Sequence, residues 1–112
     1  MKWYKADLHI HSVLSPCSSL EMAPESVMLA ARDQHLDIVS ITDHNSMQNS
    51  LVYGQSAQKH HLSYIFGVEI QTGEEIHLIA LFDDWTLAEE FNDELYQSLI
   101  PIKNDPEFFG DQ

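Results

Sequence analysis

The chain has 112 residues, 44% of them hydrophobic, which suits one small domain with one core and argues against disorder. Its formal charge of −13 leaves no basic footprint for bulk nucleic-acid binding, and no apolar run is long enough to span a bilayer. The single Cys17 cannot form an internal disulfide and the N-terminus lacks a signal-peptide pattern, so the expected compartment is the cytoplasm.

In chain order, residues 3–10 read as a strand. Residues 24–35 read as a helix, with Pro24 at its first position and Val27, Ala30 and Ala31 as an apolar stripe. Residues 37–42 form a compact strand. Ser46 is the expected cap of a helix over 47–60, where Met47, Leu51 and Gly54 share a face. Residues 63–71 and 75–82 read as two further strands. Only Gly73 and its neighbours separate them, too few for a crossover helix, so the pair is a hairpin or a bent, bulged strand. Thr86 and Glu89 have the spacing of a capping box, and Leu87, Phe91, Leu95 and Leu99 recur every four residues until Pro101 stops the helix. Residues 101–112 read as an irregular tail. Strands alternating with helices define an α/β chain built from βα units.

Charge is concentrated late in the chain. Residues 81–112 carry nine acids and one base, which suits a solvated helix face. A chain so acidic handles a phosphate only if bound metal supplies the positive charge.

The residues for such metal are present. In the first strand Asp7, His9 and His11 alternate with Leu8 and Ile10, so the two imidazoles project on one face. Asp43 and His44 directly follow the strand at 37–42. Glu69 lies late in the next strand, and His77 sits between Ile76 and Leu78. In parallel α/β architectures the carboxyl ends of strands converge on one face, so these donors can meet. Each has an ordinary reading alone: His77 as a core histidine, Glu69 as a partner for lysine, His44 as a helix-entry residue. Together they suit zinc, iron, manganese or magnesium, with Glu69 as a bridge between two ions. Such a pair makes hydroxide available near pH ~7 and neutralises charge on a phosphoryl group. His35, His60 and His61 fall at helix ends and are assigned to no site.

The ordered set Asp7-Leu8-His9-Ile10-His11-Ser12, Ile41-Thr42-Asp43-His44-Asn45 and Gly67-Val68-Glu69-Ile70, followed by His77, resembles the first three motifs of the PHP (polymerase and histidinol phosphatase) family. The likeness runs over most of residues 5–82. It implies an incomplete distorted β/α barrel, here with about four strands and three helices, and two or three divalent metal ions. It also implies hydrolysis of a phosphate ester by attack of metal-bound hydroxide, on a small phosphorylated substrate or nucleotide. By the same resemblance His9, His11 and Glu69 hold a first ion, Glu69 and His77 a second, and His44 a third. Asp7 and Asp43 join Glu69 in the catalytic set as supports rather than direct ligands.

Two departures stand out. Five and six positions after His11, where the family often has an acidic residue or histidine, this chain has Pro16 and Cys17. Cys17 is either a thiolate ligand that biases the site towards zinc or a buried small apolar residue. The family's later Asp-x-His motif has no counterpart after residue 82. The chain is therefore expected to be the N-terminal portion of a single PHP-like domain, or a short homologue that completes itself by pairing an open sheet edge with a second copy. Two other readings stay open: an amidohydrolase-like metal hydrolase, and an incomplete module that binds metal or protein without turnover.

Overall fold

In the computed structural model, which describes residues 1–99, three strands pair in parallel in the order β1 (Ala6–Ile10), β2 (Ile38–Ile41), β3 (Ser63–Tyr64). Helix α1 (Pro24–Asp33) connects the first two and α2 (Ser50–Lys59) the second and third. Strands β4 (Phe66–Gln71) and β5 (His77–Phe82) form an antiparallel hairpin, followed by α3 (Trp85–Ser98). Five strands and three helices make an α/β fold consistent with part of a barrel, one strand more than the sequence suggested.

The extra strand arises at Ile65. Residues 63–71 do not form one strand. Ser63 and Tyr64 pair with β2, the Ile65 N–H still donates to Val39 O at 3.1 Å, and from Phe66 onwards the chain pairs with β5 instead. The two sheets stay joined beyond the end of β2. Glu69 N–H donates to Asp43 O at 3.0 Å, and Asn45 N–H donates to Glu69 O at 2.9 Å, giving a parallel bridge between His44 and Glu69. Asn45 supports this bridge with a left-handed φ of 53°, which asparagine tolerates, while its side-chain oxygen accepts from Gln71 N–H at 2.9 Å. The β4–β5 connection is a hairpin turn, with Thr72 N–H donating to Ile76 O at 2.9 Å and Glu75 at φ 61°.

Apolar residues sort into two cores. Val27, Met28 and Ala31 of α1 pack with Val39 and Ile41 of β2, Tyr53 and Ala57 of α2, and Leu62. Beyond β4, Val68, Met47 and Ala88 are buried with Phe66, Phe82, Trp85, Phe91 and Leu95 around them. Burying a side chain of Met28's size stabilises the fold by about 1.5–3 kcal/mol.

Helix details differ from the sequence pattern. Pro24 does open α1, but Ala30 is exposed and Met28 takes its place in the core. Ser46 caps no helix. Its hydroxyl accepts from Gln48 N–H at 3.2 Å in the turn before α2, which starts at Ser50 and buries Tyr53 and Ala57, while Leu51 points outward. The cap of α3 is Asp84, whose carboxylate accepts from Thr86 N–H (2.7 Å) and Leu87 N–H (3.3 Å). An aspartate at that position outcompetes a cap at Thr86 two residues later. On α3, Ala88 rather than Leu87 faces the core, because 3.6 residues per turn carries an every-fourth-residue stripe off the buried face. Pro101 and residues 101–112 lie outside the described residues. Among those described, no helix is long and apolar enough to cross a membrane.

Candidate metal centre

The site lies at the carboxyl ends of β1 and β2, where β4 of the hairpin lies beside the extension of β2. β1 carries His9 and ends at Ile10, with His11 just beyond. A register shift against β2 between Asp7 and Ile10 bends the strand. His44 follows β2 by three residues. Glu69 projects from β4, and His77 begins β5, paired in register with Gln71.

Glu69 is the centre of the arrangement. It is 4% exposed, yet among the described residues its ionisable partners are imidazoles, not lysine or arginine. Oε2 lies 3.1 Å from His9 Nε2, 3.0 Å from His11 Nε2 and 3.6 Å from His44 Nδ1, while Oε1 lies 2.7 Å from His77 Nδ1. Burial acts to raise the Glu69 carboxyl. The hydrogen bonds from His9 and His77 and the charges of His44 and His9 outweigh it and hold the group below the usual carboxylate range. Burial pushes the His11 imidazole below its ordinary value, helped by the charge of His44 and opposed by Glu69.

The tautomer of His11 follows from its partners. Ser15 Oγ gives its one hydrogen to Asp43 Oδ1 at 2.7 Å and contacts His11 Nδ1 at 3.1 Å. The serine must therefore accept from Nδ1–H, which leaves the lone pair of His11 on Nε2. That lone pair faces Glu69 Oε2, and His9 Nε2 is 3.2 Å away. One proton on His9 cannot satisfy both the carboxylate and the second imidazole, so the cluster is rich in electron pairs and calls for a cation.

Two further observations fit a metal. His44 Nδ1 is buried and without a hydrogen-bond partner. Donors 2.0–2.3 Å from a tetrahedral zinc stand about 3.3–3.7 Å apart. Most spacings here run close to that, from 3.0 Å for His11 Nε2 to Glu69 Oε2 up to 3.8 Å for His44 Nε2 to Cys17 Sγ, while His77 Nδ1 and Glu69 Oε1 stand closer, at the 2.7 Å of a hydrogen bond. Three groups bring their ligand atoms within 4.8 Å of one another: His9, His11 and Glu69; His44, Glu69 and His77; and His11, Cys17 and His44.

Cys17 is exposed, which removes its alternative reading as a buried apolar residue. His77 is half-exposed rather than a core histidine. Asp43 is buried and turns away from the imidazoles: Ser12 gives it both its backbone N–H (2.7 Å to Oδ1) and its hydroxyl (2.5 Å to Oδ2). Asp7 is exposed, and its carboxylate accepts the His9 backbone N–H at 3.2 Å rather than an imidazole N–H. His35 and His61 end their helices in left-handed conformation (φ 57° each), and His60 pairs with Glu25 at 2.8 Å. All three are outside the cluster.

Sequence reasoning missed Ser12, Ser15 and Asn49, whose amide donates to Ser12 Oγ at 3.1 Å. It also missed a polar file in which Ser40 Oγ, Thr42 Oγ1 and His44 Nδ1 are buried without partners. Their spacing of two places them on one face of β2 and its extension, and this period was the available signal.

An α/β fold with a histidine-rich cluster around one glutamate defines a class of metal-site proteins, and within it this chain belongs to the PHP domain family, whose model matches residues 7–106. Among solved structures, an amidohydrolase from Chromobacterium violaceum, with bound sulfate and no metal, is 23% identical with a TM-score of 0.59. The match covers 80% of this chain and 32% of that one. A protein from Bifidobacterium adolescentis, named a metal-dependent phosphoesterase, is 24% identical with a TM-score of 0.56, over 70% of this chain and 27% of that one. The chain thus spans a third or less of either neighbour, and the likeness establishes the fold. No curated protein matches the chain.

Proposed function

We propose that this chain carries the metal-binding part of a metal-dependent phosphoesterase acting on a small phosphorylated substrate or nucleotide. The observation that carries this reading is the buried Glu69 carboxylate with four imidazoles and, among the described residues, no lysine or arginine paired with it. His9, His11 and Glu69 would hold one divalent ion (zinc, manganese, iron or magnesium), Glu69 and His77 a second, and His44 with Cys17 a third. When bound, such ions supply Lewis acidity to a phosphoryl group and an activated water at neutral pH.

The chain's own residues prepare the site. Asp43 fixes Ser15, and Ser15 fixes the His11 ring so that Nε2 faces Glu69. Asp7 holds the backbone at His9. Glu69 presents one oxygen to His9 and His11 and the other to His77. His9 and His77 are about half exposed, leaving the site open to a substrate from solvent. The acidity of the chain disfavours a phosphate elsewhere on its surface.

A second reading keeps the metal and changes the bond cleaved. The amidohydrolase neighbour favours it, since it shares this fold over most of the chain. A panel of phosphate esters beside amides and lactones separates the two: phosphate release supports the first, and amide or lactone turnover without it reverses the ranking. Ligand assignments are tested by elemental analysis of His9→Ala and Glu69→Ala. Both variants are expected to lose metal and any hydrolase activity, and full occupancy in both would remove these residues from the ligand set.

A further inference from the structure

Among the donors, Cys17 differs in kind. The groups around Glu69 present only nitrogen and oxygen, which accept hard and borderline ions alike. The third group has two imidazoles and a sulfur. Cys17 Sγ lies 3.8 Å from His44 Nε2, and these atoms fall within 4.8 Å of a ligand atom of His11. A sulfur at about 2.3 Å and a nitrogen at about 2.0 Å from one tetrahedral zinc stand roughly 3.5 Å apart. The pair is thus already near the separation that coordination requires, without a change of fold.

His44 presents two different atoms to two neighbours. Nε2 faces the sulfur, and Nδ1 points towards Glu69 Oε2 at 3.6 Å, too far for a hydrogen bond. A neutral imidazole has one lone pair, so His44 serves one side only. His11 Nδ1 is taken by Ser15, so its single free nitrogen already faces Glu69 and His9. The sulfur therefore decides the contest for His44. A thiophilic ion gains a thiolate by drawing Nε2 towards Cys17, whereas an ion that prefers oxygen gains nothing there.

We infer that Cys17 sets the metal preference of this site, with His44 recruiting a thiophilic ion, zinc or ferrous iron, over manganese or magnesium. The inference rests on the proposed metal-binding reading of the cluster and adds the choice of ion. The exposure of Cys17 at the rim makes it accessible to both solvent metal and thiol reagents.

Because Cys17 is the chain's only cysteine, a thiol reagent reports on this atom alone. The purified protein is stripped with chelator, loaded with zinc, manganese or magnesium, and treated with a chromogenic disulfide reagent. Zinc is expected to slow modification at least about tenfold, since a coordinated thiolate is withdrawn from attack, while manganese and magnesium change it by less than about twofold. Cobalt(II) is expected to give a sulfur-to-metal charge-transfer band in the near ultraviolet that Cys17→Ser abolishes. Competition dialysis completes the test: Cys17→Asp is expected to move the zinc-over-manganese preference at least about tenfold towards manganese. Stoichiometric zinc with no slowing of Cys17 modification and no charge-transfer band would overturn the inference and leave the metal-binding reading standing. An unchanged preference in Cys17→Asp would overturn it too. A protein that binds none of these ions would sink both.

Discussion

Asp43 and Ser12 are joined by two hydrogen bonds, backbone N–H to Oδ1 at 2.7 Å and hydroxyl to Oδ2 at 2.5 Å, across 31 residues of chain. Both residues are buried, and Ser15 adds a third donor to the same carboxylate. This knot fastens the loop after β1 to the end of β2 and so sets where His11 stands.

Replacing Asp43 by asparagine keeps the shape but turns an amide NH2 towards a group that was donating. Leaving a buried donor unpaired costs on the order of 1–3 kcal/mol, more where a charged partner is lost. Asp43→Asn is therefore expected to lower the denaturation midpoint clearly, with the cost visible in metal-free protein. A stability equal to the wild type would show that the knot is not structural.

Ser15→Ala removes the acceptor for His11 Nδ1–H while leaving all direct donors in place. Loss of a partner that orients a metal-binding histidine typically weakens affinity about 10–100-fold. Titration calorimetry with zinc or manganese is expected to show a loss in that range. An unchanged affinity would mean that the tautomer of His11 is held by something other than Ser15.

Acidity acts on the metal-free protein through two groups of the same sign. The folded His11 binds its proton less readily than the unfolded residue, whose ordinary value is 6.5, so its contribution is complete above that pH and is lost as pH falls below it. Glu69 is also depressed, from 4.5, and its contribution is lost in turn below that value. Melting temperature in the presence of chelator is thus expected to fall in two stages on acidification, and Glu69→Gln to flatten the second. A melting temperature that rises as pH drops from neutral to 5 would contradict the His11 assignment.

Gly67 sits where β4 lies close against β2. A Cβ there would lie 2.5 Å from Ser40 Oγ, 2.7 Å from Thr42 Cγ2 and 3.0 Å from Leu81 Cδ2. Two of the three are on short side chains that cannot swing away. Gly67→Ala is expected to cost about 1–3 kcal/mol by overpacking, measured by urea denaturation, and to loosen metal binding because Glu69 is two residues on. A neutral effect on both would mean that the strands separate more easily than their contacts indicate.

His9, His11, His44, Glu69 and His77 stand out in the linear chain because strand geometry gives each a direction. Period-two alternation and placement at strand ends make convergence foreseeable without coordinates. The short stretch around Gly73 narrowed residues 63–82 to a hairpin or a bent, bulged strand, and the antiparallel pairing of β4 with β5 decided for the hairpin. Other features depend on partners distant in sequence. The change of sheet at Ile65 follows from which neighbour each half of 63–71 meets, and nothing local marks it. Asp84 and Thr86 are both good caps, and only the path of the chain into α3 chooses between them. Serines 12 and 15 are common residues whose importance comes wholly from the carboxylate 28 to 31 positions away.

Chemical identity of the donors and their phase along each strand were thus written in the order of residues, because side-chain type and alternation are local properties. Which lone pair faces which neighbour, and whether Cys17 is shielded or open to an ion, was settled by folding, since those depend on loops brought together from separate parts of the chain.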